Sequence, residues 1–150
     1  AVIGNFIKNV DLMEADRFYK RAKPILDKDP IGIFRSQTFA NMGDIAAAKK
    51  QGEEARELYR QAVQLMRKAG LPLPLAAVLQ QVASGLFSLG DDRACLELLQ
   101  EAGGIYRQAG VPSGEASILL AVVRRTSGRA AGQIPCRRSS GARTWPKPPV

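Results

Sequence analysis

From residue 15 to residue 123 the apolar positions return every three or four residues, the spacing of helices that bury one face. A longer period lies over this one. The stretch "ARELYRQAV" at 55–63 is echoed by "ADRFYKRAK" at 15–23 and by "CLELLQEAG" at 95–103, with offsets of 40 residues. In that register Ala15, Ala55 and Cys95 form a column of small residues. Tyr19, Tyr59 and Leu99 follow four positions on, and Ala22, Ala62 and Ala102 three positions after those. Phe18, Leu58 and Leu98 precede the bulky column, and Ile25, Leu65 and Ile105 continue the stripe. Small, bulky and small residues along one helical face let a neighbouring helix approach while the large side chain fills the space beside it.

Each of these helices has a partner upstream. "FRSQTFANMGDIAAAKK" (34–50) precedes the second copy, and "PLAAVLQQVASGLFSLGD" (74–91) precedes the third, opening on Pro and closing at Gly90. Gly43 and Ala83 share a column, as do Ala46 and Leu86. Gly70 and Gly110 stand where a left-handed residue ends a helix. The unit is therefore helix, turn, helix, in about 40 residues. Two departures bear on packing. Lys50 takes the position that Gly90 holds one copy later, which predicts a longer or irregular turn. Gly103 and Gly104 fall inside the third long helix, where each costs about 1 kcal/mol relative to Ala.

The set Gly43, Ala55, Tyr59 and Ala62, with "GD" at 90–91 before Cys95, resembles the tetratricopeptide repeat. The 40-residue period resembles the longer repeats of kinesin light chains and of MalT-like bacterial regulators. This resemblance implies an all-α, right-handed superhelical solenoid of antiparallel helix pairs over about 1–30, 31–70 and 71–110, closed by a capping helix at 112–123. It also implies a concave groove lined by the first helix of each pair. Carried onto this sequence, the groove positions are Asn5 and Lys8, then Gln37, Asn41, Asp44 and Ala48, then Gln80, Ser84 and Phe87. Ala40, Ala77, Gln81 and Ser88 fall on the same faces. Amides, small residues and one aromatic suit an extended peptide or a helix.

After residue 123 the apolar period stops. "RRTSGRAAGQIPCRRSSGARTWPKPPV" is rich in Arg, Gly and Pro and has no acid. Such a composition predicts a segment, 124–150, that does not pack, either a basic arm or a GC-rich gene read out of frame. The net charge of +8 comes almost entirely from it, because residues 1–123 carry 15 basic residues against 14 acids. The body is thus nearly neutral, and nucleic-acid binding is expected of the basic segment if of anything.

There is no histidine, so His-based triads and His-ligated metals are excluded. Cys95 and Cys136 give neither a disulfide framework nor a metal spacing. Phosphate loops, dinucleotide fingerprints and nucleophile elbows are missing too. The residues imply no cofactor. No apolar run reaches the length of a membrane span, and the start lacks the basic and apolar regions of a signal peptide, so a cytoplasmic location is expected. The first residue is Ala, as in a chain cut from a longer protein. The function expected is a non-enzymatic scaffold that holds a protein or peptide partner in the groove, as part of a larger bacterial regulator or assembly protein. The alternatives are polyanion binding through the basic segment and a ligand-sensing module of a bacterial regulator.

Overall fold

The computed structural model describes residues 12–132, all helices and turns. Six helices follow in order: α1 (Leu12–Leu26), α2 (Ile33–Ala48), α3 (Gly52–Ala69), α4 (Pro72–Ser88), α5 (Asp92–Gln108) and α6 (Pro112–Gly132). α2 folds back on α3, and α4 on α5, through three-residue turns. Every helix packs on its neighbour in sequence, and α2 also packs on α4. The arrangement is an α-solenoid of stacked helix pairs with no barrel.

The columns of the sequence are the packing columns. Ala55, Ala62, Cys95 and Ala102 are fully buried, as are Tyr59 and Leu99 between them. Tyr59 reaches furthest. Its ring lies against Gly43 of α2 on one side and Gly85 of α4 on the other. A Cβ at Gly43 would come within 2.5 Å of Tyr59 Cε1, and a Cβ at Gly85 would fall on the hydroxyl. Two helices of successive pairs thus close on one ring because each lacks a side chain there. Ser36, also fully buried, donates its hydroxyl to the Ala62 carbonyl oxygen at 2.7 Å and ties α2 to α3. A buried hydroxyl without that acceptor would cost roughly 1–3 kcal/mol.

The turns repeat as closely as the helices. Gln51 N donates to Ala46 O at 2.9 Å, and Asp91 N donates to Leu86 O at 2.9 Å, forty residues on. The irregular turn expected at Lys50 is not formed. Lys50 takes φ 61°, close to the 86° of Gly90, so the backbone keeps the repeat geometry and the lysine accepts a left-handed conformation. That conformation costs a residue with a Cβ about 1–2 kcal/mol. Gly70 and Gly110 adopt the left-handed cap positions read from the sequence, at φ 68° and 66°. Arg56 links two units at their turns, bonding Glu53 and the Asp91 carboxylate, each at 2.6 Å.

The ends depart from the pattern. α1 buries none of its residues, and Phe18 is 59 % exposed although Leu58 and Leu98 in its column are half-buried. Asp16 joins α1 to α2 by bonding Lys20 at 2.8 Å and Lys49 at 3.6 Å. The hydrogen bond from Lys20, aided by Lys49, holds its carboxyl below the usual range. At the other end the helix expected over 112–123 runs on to Gly132. The boundary placed at 123 is therefore moved: the change in composition does not stop a helix, since Arg, Thr and Ala all tolerate one. The stretch 133–150, and with it Cys136, lies outside the described residues, as does the first helix expected before α1.

The paired glycines of α5 separate into two roles. A Cβ at Gly103 would press on Ile118 Cγ2 of α6 at 3.3 Å, so this glycine buys close approach. A Cβ at Gly104 would meet nothing within 4 Å. Gly104→Ala is therefore expected to stabilise the protein by about 1 kcal/mol, the full helix-propensity difference. Gly103→Ala is expected to gain less or to lose. Thermal melts of the two variants check this; equal shifts would show that α6 does not seat on Gly103.

Candidate functional site

The first helices of the pairs, α2 and α4, lie side by side, and α6 takes the same place next along the stack. Polar side chains on their common face form two clusters. The first joins α2 to α4. Gln37 Nε2 donates to Gln81 Oε1 at 2.5 Å. Gln81 Nε2 donates in turn to Asn41 Oδ1 at 2.9 Å and to Asp44 Oδ2 at 2.8 Å. The other Asp44 oxygen accepts the Tyr59 hydroxyl at 2.6 Å. The ring that wedges the helices therefore also fixes a carboxylate at the surface. Burial, and then the hydrogen bond to Asp44, push the Tyr59 hydroxyl well above the ordinary phenol range.

The second cluster joins α4 to α6, which meet chiefly through side chains. Gln80 Nε2 donates to Ser117 Oγ at 3.0 Å. Arg125 Nη2 donates to Ser84 Oγ at 2.5 Å, and Nη1 to the Ala121 carbonyl oxygen at 3.1 Å. Its guanidinium lies 5.4 Å from the centre of the Phe87 ring, in cation–π range. Arg125 Nε is buried without a hydrogen-bond partner. Asp92 lines a smaller pocket with Arg125, and Arg56, Arg67 and Arg107 each bridge to an acid on another helix or turn. A cavity of about 540 Å³ opens between α4 and α6. Gln80, Ser84, Ser113, Ser117, Leu120, Arg124 and Arg125 line it, with Ala116 and Ala121.

Most of the groove positions carried over from the resemblance fall into these clusters. Gln37, Asn41 and Asp44 meet in the first, and Gln80, Ser84 and Phe87 in the second. Ala48, the last residue of α2, is exposed and lines neither the cavity nor the amide cluster. Ala40 is fully buried in the core rather than facing the groove, because it packs one helical step inward from Gln37 and Asn41. Asn5 and Lys8 lie outside the described residues. Sequence reasoning missed Ser113, Ser117, Arg124 and Arg125. The signal for them was present: Ala77 and Ser84 map at the 40-residue offset onto Ser117 and Arg124.

Among the described residues no group of three or more Cys, Asp or Glu is placed to hold a metal ion. No helix among them is long and apolar enough to cross a membrane. Compared with family models, with curated proteins and with solved structures, the chain finds no match.

Proposed function

We propose that this chain is a non-enzymatic interaction scaffold of the tetratricopeptide type, and that its groove along α2, α4 and α6 holds an extended peptide or a helix of a partner protein. The observation that carries the reading is the cavity of about 540 Å³ between α4 and α6, lined by Gln80, Ser84 and Ser117, with a row of bonded amides between α2 and α4 on the neighbouring side. The volume lies within the range of ligand-binding clefts. The donors and acceptors that the amides and hydroxyls of the row do not spend on one another suit main-chain groups of a peptide. The helices behind the row are locked by Tyr59 and by the small-residue columns, so a partner meets a surface already in place. Such preorganisation lowers the ordering cost of binding.

The test is selection of short random peptides on the full chain, followed by binding measurements on two variants of equal charge change. Gln81→Arg removes the amide that holds Asn41 and Asp44 in the row and is expected to weaken binding of selected peptides about tenfold. Gln100→Arg, exposed on α5, is expected to leave affinity unchanged. Equal effects, or no selectable peptide, would remove the groove reading. Binding of the chain to nucleic acid, lost when residues 133–150 are deleted and steeply weakened by salt, would favour the basic segment instead.

A further inference from the structure

The inner pairs show what the outer face of α6 lacks. α2 packs on the helix that follows it, α3, and α4 on α5. On α2, Ser36, Ala40 and Gly43 are buried, with Ser36 bonded to Ala62 of α3 and Gly43 against Tyr59 of α3. On α4, Ala76, Leu79 and Ala83 are buried in the same register. At offsets of 80 and 40 these positions become Ala116, Leu119, Leu120 and Val123 of α6. There they are uncovered: Leu119 is 58 % exposed, and Leu120 and Val123 are each 56 % exposed. The opposite face of α6 is seated, with Ile118 buried against Gly103 of α5. No helix follows α6 among the described residues, and the sequence of 133–150 has four prolines and no apolar period with which to supply one.

We infer that this face of α6 binds the same face of a second copy of the chain, the two α6 helices running antiparallel about a two-fold axis between Leu119 and Leu120. Such a contact is self-complementary by symmetry, so one face must supply both halves of the packing. The α6 face does so. Ala116, Leu120 and Val123 stand at the spacing of Ala55, Tyr59 and Ala62 and of Cys95, Leu99 and Ala102, so α6 has the place of a first helix and the apolar spacing of a second. About that axis Leu119 and Leu120 meet their own copies, and the larger Val123 faces the small Ala116 of the second copy. Charge selects the direction. α6 carries an acid, Glu115, in its first turn and the bases Arg124 and Arg125 towards its other end. A parallel pair would set the bases of both copies side by side. The antiparallel pair separates them and brings Arg124 level with Glu115 of the second copy, which like charges at one end would oppose. Burial of the leucines and valines from both copies supplies the attraction. Ala116 and Leu120 also line the α4–α6 cavity, so the second copy stands at its edge; the pairing does not depend on what the groove holds.

The experiment is sedimentation of the full chain over a range of concentrations. A dimer that dissociates on dilution is expected. Leu119→Glu is expected to raise its dissociation constant about a hundredfold, because pairing would bury two unpaired carboxylates. Leu119 is exposed and lies off the cavity, so the variant is expected to keep its helix content by circular dichroism. Disulfide trapping in a Cys136→Ser background then reads the direction. Ala116→Cys mixed with Val123→Cys is expected to form a linked dimer on mild oxidation, and neither variant alone is expected to link to itself at that rate. Self-linking of either variant as fast as the mixture would overturn the antiparallel arrangement. A dimer that Leu119→Glu leaves unchanged would show that another surface pairs and would overturn the inference. A chain that stays monomeric at every concentration would overturn it too, and a dimer that then appears on deleting 133–150 would assign the face to that segment instead.

Discussion

Tyr59→Ala is expected to remove about 3–5 kcal/mol of stability, the range for emptying an aromatic site in a core that cannot collapse. Collapse is blocked here by geometry. The ring is the filler between Gly43 and Gly85, and neither glycine has a side chain that could move into the space. The loss therefore reaches the contact of α2 with α3 and the contact of α3 with α4 together. Against a total of roughly 5–15 kcal/mol for a domain, such a loss brings the protein close to its unfolding threshold. Urea titration of both proteins measures it; a loss below about 2 kcal/mol would mean that α2 and α4 close on each other without the ring. Tyr59→Phe isolates the hydroxyl and is expected to cost about 1 kcal/mol, the net worth of the bond to Asp44. The pH dependence has a definite sign. Burial and the Asp44 carboxylate raise the hydroxyl's pKa in the folded state, so the neutral form is the one the fold favours. Its contribution is complete below the unfolded value of about 10 and is lost as the pH rises above that. The wild type is expected to lose stability in strong alkali faster than Tyr59→Phe does.

Ala62→Leu is expected to cost about 1–3 kcal/mol or more, whereas the same change at Ala48 is expected to cost almost nothing. Ala62 is fully buried, and its carbonyl oxygen receives the buried Ser36 hydroxyl, so α2 passes directly over it. Three added heavy atoms have no outlet except to push α2 away and break that bond. Ala48 ends α2 with its side chain in solvent. Because the two substitutions are identical, hydrophobicity and helix propensity cancel in the comparison and local free volume remains. Melting both variants decides it. If Ala48→Leu is the more damaging, the register that places Ala62 at the α2–α3 contact is wrong. Because Ala48 lies outside both polar clusters, Ala48→Leu is also expected to leave peptide affinity unchanged.

The solenoid was legible because its packing rule is local and repeated. A small residue where two helices touch, and a large one beside it, must recur wherever the same contact recurs, and Ala55, Tyr59, Ala62, Cys95, Leu99 and Ala102 show it in register. What stayed hidden depends on context that no window of sequence contains. Lys50 reads as a broken turn, but the two helices it joins impose their own separation, and the backbone gives way. Phe18 reads as a packing residue, but its burial requires a neighbour on that side. Arg125 reads as the start of an unstructured basic stretch by composition. In the fold its stem continues α6 and its head reaches across to Ser84 and Phe87. The amide cluster was half visible: the columns placed Gln37, Asn41, Asp44 and Gln81 on one face, and only the closeness of α2 and α4 shows that they bond to one another.

Among the described residues each helix packs on helices one or two places away along the chain. No contact of this kind has to wait for distant segments to find each other, so the chain closes only short loops as it folds. Low contact order of this sort goes with folding in milliseconds or less. It also removes any single obligatory starting point: α2 with α3, or α4 with α5, can each form first and template the other. Damage is correspondingly confined. Loss of α1, which buries no residue, leaves every later interface in place, while a fault at Tyr59 sits where two growing pieces must join.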